Sequence, residues 1–191
     1  VEAFDSQGES GTPNFTAGTE GLPSWITITD QVTVKKGERV TIPYTITVPQ
    51  DADAGGHFAA IFLSTVPPRA DGGQVSVGAK VGMLILLKVT GEIKEDGGLS
   101  SFTIKEDKKV LTSIPVDFVY RFNNAGNDRV KPEWDIVIRN TLGMETARVN
   151  ANQNQGNVLP GSVRRFDVRY GEGEAPAVSA PFFDHVKYQM N

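Results

Sequence analysis

Ile114-Pro115-Val116-Asp117-Phe118-Val119-Tyr120-Arg121-Phe122-Asn123-Asn124-Ala125-Gly126-Asn127 is the stretch that decides the fold class. Ile114, Val116, Phe118, Tyr120 and Phe122 occupy every second position, so an extended chain places them all on one face. Asn123-Asn124-Ala125-Gly126-Asn127 then breaks the run with residues that tolerate left-handed backbone. A half-buried strand followed by a turn is the reading.

The same period recurs on both sides. Trp134, Ile136 and Ile138 alternate against Asp135 and Arg139, and Phe166, Val168 and Tyr170 share a face of residues 162–170. Upstream, Val40, Ile42, Tyr44, Ile46 and Val48 predict a half-buried strand over residues 38–48, with Pro43 at an edge or bulge because it cannot donate to a ladder. Residues 57–65 and 81–89 are richer in apolar side chains, as expected of strands covered on both faces or at the centre of a sandwich. No 3.6-residue period runs long enough for a sizeable helix. Short strands separated by Gly, Pro and Asn turns predict an all-β fold of antiparallel sandwiches. Residues 92–98 carry the polar turn Glu95-Asp96-Gly97-Gly98, which places a domain boundary there and divides the chain into 1–96 and 97–191. Residues 151–157, rich in Asn and Gln, and residues 171–181, rich in Gly, Ala, Pro and Glu, read as mobile.

Composition narrows the function classes. The chain has 191 residues, 39% of them hydrophobic and 22% charged, with a net charge of −4. That balance argues against nucleic acid as a partner. No apolar run is long enough to cross a bilayer. The absence of cysteine removes thiolate metal sites, cysteine nucleophiles and disulfides, and the two histidines would need carboxylate help to hold a metal. Val1-Glu2-Ala3-Phe4-Asp5 carries no secretory leader, and the missing initiator Met suggests a processed or excised chain.

Motifs for catalysis are weak. Pro160-Gly161-Ser162-Val163-Arg164 lacks the second glycine of a nucleophile elbow and reads as a tight turn opening a strand. Asp51-Ala52-Asp53-Ala54-Gly55-Gly56 starts like a calcium loop, but Gly55 replaces an oxygen ligand and no Glu stands at the twelfth position. His57 follows directly, within reach of Asp51 or Asp53, and His185 has Asp184 beside it. Lys88 is the one amine an intramolecular Lys–Asn crosslink would use, though a strand-end lysine usually snorkels. Asp117 and Asp135 are the strand carboxylates to check for a hydrolase pair. Trp25, Phe58, Phe62, Tyr120, Trp134, Phe182 and Phe183 could stack a ligand, but alternation sends most of them inward, Trp134 included. Adjacent Phe182 and Phe183 must point to opposite sides, so one of them is expected to be exposed or to bury against a partner.

Four segments together resemble a known family: residues 48–61, which contain Val48-Pro49-Gln50-Asp51-Ala52-Asp53-Ala54-Gly55, residues 77–89, Phe122-Asn123-Asn124-Ala125-Gly126-Asn127, and Val158-Leu159-Pro160-Gly161-Ser162. In this order they are similar to the extracellular part of the WxL-interacting proteins of bacterial cell surfaces, which carry V-P-x-x-A-x-x-G in the first domain and N-x-G-N in the second. The resemblance implies two tandem immunoglobulin-like domains, with Gly55-Gly56 turning sharply into a buried strand and Gly126 in a hairpin turn. It also implies a further strand pair before Val1, a closing hairpin after residue 181 and a membrane anchor downstream, none of which this sequence supplies. The chain is therefore expected to be an internal fragment, or one whose sheets another chain completes.

The functional expectation is a non-enzymatic, exported bacterial surface protein that binds another surface protein or peptidoglycan of the cell wall through sandwich faces, strand edges and loops. No catalytic residue, metal ligand or cofactor is assigned. Residues 67–73, residues 151–157 and the pair Phe182-Phe183 are the binding segments to probe. The alternative is a carbohydrate-binding or accessory module of a glycan-active enzyme.

Overall fold

A computed structural model describes residues 1–17, 20–65, 80–105, 115–140 and 142–171, together with the backbone of 184–186. Residues 67–73, Ile114, Phe182, Phe183 and all but the first of the stretch 171–181 read as mobile lie outside the described residues. The chain is all-β and antiparallel, with a single helical turn among the described residues, and divides into two compact units. The first comprises Val1–Asp5 and Pro13–Ile93, the second Ser6–Thr12 and Lys94–Asn191.

The first unit holds β5 (Gly55–Ser64), β6 (Lys80–Val89) and most of β1 (Glu2–Gln7) and β2 (Thr12–Thr16), which form one sheet in the order β2-β1-β5-β6. Strands β5 and β6 pair without a break from Gly55 opposite Val89 to Ser64 opposite Lys80. Between β2 and β5 the chain forms α1 (Leu22–Trp25), β3 (Ile26–Ile28) and β4 (Tyr44–Ile46), the last two paired with Ile26 opposite Ile46. Side chains alternate across a sheet, so Ala59, Ile61, Ile85 and Leu87 share one face. That face packs against Leu22, Trp25, Ile26, Ile28 and Ile46 to make a small core. On the other face, Phe58 and Phe62 are half-buried with Phe4 and Phe15, whose rings lie 5.8 Å from Phe58 and 4.9 Å from Phe62 respectively.

Two expectations for this unit need correcting. Only Tyr44–Ile46 of residues 38–48 is a strand, and Val40, Tyr44 and Val48 are exposed rather than half-buried. Strand β6 is not covered on both faces either: Val81 is 68% exposed, and Met83 and Leu84 are exposed beside it. The physical reason is shared. Alternation marks the side chains suited to burial, but burial also requires an opposing layer, and α1 with β3 and β4 covers only the Ile85–Leu87 end.

In the second unit, β7 (Gly97–Ile104), β8 (Val116–Asn124) and β11 (Val163–Tyr170) form a sheet ordered β11-β8-β7, and β9 (Asp135–Asn140), β10 (Glu145–Asn150) and β12 (Asp184–Val186) form another ordered β10-β9-β12. Val116, Phe118, Tyr120 and Phe122 from β8, Phe166 and Val168 from β11, and Ile136 and Ile138 from β9 share one core with Ala151 and Val158. Tyr120 stacks on Phe166 with ring centroids 4.8 Å apart and planes 7° from parallel.

Residues 124–127 are not a β-hairpin turn. Strand β8 pairs with β7 and β11, and the chain after Asn124 passes to β9 in the other sheet. None of Asn123, Asn124 and Asn127 has a positive φ, so left-handed tolerance is not what these residues supply. Asn124 is fully buried, and its side-chain amide donates to the carbonyls of Asp128 (2.8 Å) and Val158 (2.9 Å) while its oxygen accepts from Gly126 N (3.0 Å). A side chain at Gly126 would run into the carbonyl of Lys94, and this close approach is what requires glycine there.

Candidate functional site

The described residues singled out for chemistry are held in structural roles or do not converge; the side chain of His185 lies outside the described residues. His57 Nε2 bonds the backbone carbonyl of Asp53 at 2.8 Å, not a carboxylate, and its ring lies 4.6 Å from that of Trp25. Ser162 Oγ donates to Leu159 O at 2.7 Å, and Gly161 has φ of 68°, so Pro160-Gly161-Ser162 is the tight turn expected. Lys88 is exposed on β6, which removes the buried amine a Lys–Asn crosslink needs. Asp117 and Asp135 cannot act as a pair. Each alternates with core residues of a different sheet, Asp117 with Val116 and Phe118, Asp135 with Trp134 and Ile136, so each faces outward. Asp117 meets Arg169 at 3.5 Å and Asp135 meets Arg148 at 3.2 Å. Among the described residues no group of three or more His, Asp or Glu side chains could hold a metal ion, and no described helix is long and apolar enough to cross a membrane.

Two surface features remain. The first is the extended segment 31–43 in the first unit. Its turn is formed: Glu38 N donates to Lys35 O at 3.0 Å, Lys35 N donates to Glu38 Oε2 at 3.1 Å, and Gly37 takes φ of 82°. Its arms belong to no strand among the described residues. Val32, Val34 (54% exposed) and Val40, followed by Tyr44 and Val48, put a row of large apolar side chains in water. Singly exposed apolar residues are ordinary, whereas a clustered run of them marks an interaction surface.

The second is a polar cleft of about 320 Å³ in the second unit, between residues 131–135 leading into β9 and the turn carrying Asn150, Asn152 and Gln155. The turn belongs to the stretch read as mobile, and the structure corrects that reading. Asn152 is buried, donates to Pro132 O and Gly156 O (both 3.0 Å) and accepts from Gly156 N (2.7 Å). Ala151 N bonds Trp134 O at 3.0 Å, and Tyr120 Oη donates to Ala151 O at 2.9 Å. Composition predicts solvated amides here, but the Asn152 amide takes up the backbone groups of Pro132 and Gly156 and ties both walls together.

Trp134 joins the core to the cleft. Its ring lies 5.3 Å from Tyr120 and 5.2 Å from Phe122, and the half-buried residue also lines the cleft. Burial pushes the Tyr120 phenol well above the ordinary tyrosine range, the Trp134 indole and the charge of Arg164 opposing this only in part. The ionic groups at the cleft are largely neutralised. Lys131 pairs with Glu133 at 3.0 Å, and Asp135 with Arg148, which is also held by Glu145. The hydrogen bond from Arg148 lowers the Glu145 carboxyl below its usual range, and the bond to Glu145 raises the Arg148 guanidinium.

Gln155 stands apart as the one described non-glycine residue with positive φ, 49°. No sequence signal marks that backbone state, and Asn150, Asn152 and Gln155 were visible beforehand only as part of a polar stretch. No family model matches the chain, and no curated protein or solved structure matches it. The likeness to the WxL-interacting proteins therefore rests on the four sequence segments alone.

Proposed function

We propose that this chain is a non-enzymatic binding protein of the bacterial cell surface, related to the WxL-interacting proteins and built from two tandem immunoglobulin-like sandwiches, 1–96 and 97–191. Its partner is an extended strand of another surface protein, which lies along residues 31–48 of the first unit. The observation that carries this reading is the open apolar row of Val32, Val34, Val40, Tyr44 and Val48 flanking a turn that is already formed. A partner strand with its own alternating apolar residues would bury that row and take up main-chain groups at the same time, the usual economy of strand addition. The ordered turn lowers the entropy lost on docking.

The test is a double substitution, Val34→Lys with Val40→Lys, at exposed positions that leave the small core of Leu22, Ile26, Ala59 and Ile61 untouched. Retention on immobilised cell-wall-associated proteins and on purified peptidoglycan is compared with that of the parent chain. The proposal requires that the parent binds the protein fraction, that the double variant loses this binding, and that its urea midpoint is unchanged. Undiminished retention of the double variant refutes it. Binding to peptidoglycan alone by both chains would favour the cell wall as partner and remove the strand-addition mechanism.

A further inference from the structure

We infer that the cleft of the second unit is a binding site for an uncharged sugar ring, separate from the apolar row of the first unit. Lys131 with Glu133, and Asp135 and Glu145 with Arg148, are ion-paired, so each charge at the cleft already has a partner of opposite sign within the fold. What remains is hydrogen-bonding capacity without charge. The side-chain amide of Gln155 and the Nδ2 of Asn150 have no hydrogen-bond partner among the described residues, and the Asn150 oxygen accepts only from Asn152 N at 2.8 Å. Amides that can both donate and accept suit vicinal hydroxyls, which do the same. Trp134 lines the same cleft and is half-buried, and the exposed part of its indole would give the C–H face of a sugar ring an apolar surface to stack on.

The volume agrees with a small ligand. At about 320 Å³ the cleft sits at the lower end of the range for small-molecule sites, enough for a ring and its substituents rather than a buried chain. The site is also preorganised. Asn152 bonds Pro132 O on one wall and Gly156 on the other, and Ala151 bonds Trp134 O, so the two walls are fixed before a ligand arrives.

Gln155 supplies the independent observation. A side chain in the left-handed region costs roughly 1–2 kcal/mol, which glycine in the same place would avoid. The residue is exposed, its backbone closes the turn through Gln155 N to Asn152 O at 3.0 Å, and its side chain makes no hydrogen bond among the described residues. The same turn leaves Gln155 lining the cleft and exposed, where a ligand hydroxyl can reach it.

The experiment uses the full 191-residue chain carrying Trp25→Phe, so that Trp134 is the sole indole. N-acetylglucosamine and glucose are titrated and followed by indole fluorescence and by amide NMR shifts, with glucosamine and glucuronate as cationic and anionic counterparts. Weak binding with Kd of about 1 mM is expected, with shifts confined to Trp134, Asn150 and Gln155. Gln155→Ala weakens it about tenfold, the share of one lost hydrogen bond. Gln155→Gly is the decisive variant, because it relieves the backbone: it raises the urea midpoint and still weakens sugar binding about tenfold. The inference is overturned if neutral sugars cause no shift at about twenty times that concentration. It is equally overturned if either charged sugar binds more tightly than the neutral ones, or if Gln155→Gly binds as the parent does.

Discussion

Replacing Asn124 by Ala is expected to destabilise the second unit by about 3 kcal/mol, and the bonds around Asn124 show where that figure comes from. The substitution removes three hydrogen bonds from a fully buried side chain. Their consequences differ. Val158 O keeps a second donor, Val130 N at 3.0 Å, so it is not orphaned. Asp128 O and Gly126 N lose their bonds to Asn124 and have only partial access to water. Two groups left short at about 1 kcal/mol each, with about 1 kcal/mol for the third bond and the small void, give the total. For a unit of this size the melting temperature should fall by roughly 12–24 °C. The assay is urea unfolding in the Trp25→Phe background, read through Trp134, whose ring packs on Tyr120 and Phe122 in the same core. A midpoint shift of roughly 1–3 M is expected. Asn124→Asp should be worse at neutral pH, since it sets a carboxylate oxygen against two carbonyl oxygens where an amide donated. A loss below about 1 kcal/mol for Asn124→Ala would show that the loop is held by other contacts and would refute the reasoning.

Three further outcomes follow from the same geometry. Because burial raises the Tyr120 phenol above its unfolded value near 10, the folded state keeps its proton where the unfolded state loses it, so second-unit stability should be flat in this respect below about pH 9 and fall by about 1.4 kcal/mol per pH unit above about pH 10. Tyr120→Phe should abolish that slope in urea titrations while costing about 1 kcal/mol for the lost bond to Ala151 O, and an unchanged slope would contradict the assignment. Gly126→Ala should cost about 2 kcal/mol by calorimetry, since the added methyl meets the Lys94 carbonyl, and a neutral result would mean the loop yields freely. Val81→Lys with Met83→Lys, both exposed on β6, should leave the first unit's urea midpoint within about 0.5 kcal/mol and improve solubility, whereas a large loss would place β6 inside a core.

Alternation proved legible where both layers of a core come from the same unit. Phe118, Tyr120, Ile136, Ile138, Phe166 and Val168 were readable as inward-facing, and each is buried. The period failed as a guide at Val40, Tyr44, Val48 and Val81, where the apolar residues are present but no layer among the described residues covers them. A sequence pattern states which face favours burial; it carries no information on whether a second surface arrives. The cleft was less legible for a different reason. Asn152 and Gln155 gain their roles from distances to carbonyls of residues 132 and 156 and from a backbone angle, and composition records neither. Gly126 was recognised as necessary but for the wrong cause, since close approach to Lys94 and not a left-handed turn excludes a side chain there.

The most direct test of the open strand run is amide hydrogen exchange on the full chain without a partner. If residues 31–43 stand ready to receive a strand, Val32, Val34, Val40 and Ile42 should exchange at rates close to those of an unstructured peptide, while Ala59, Ala60, Tyr120 and Phe122 exchange orders of magnitude more slowly. Protection of those four amides at the level of β5 would show that the row is already paired, and would contradict the account.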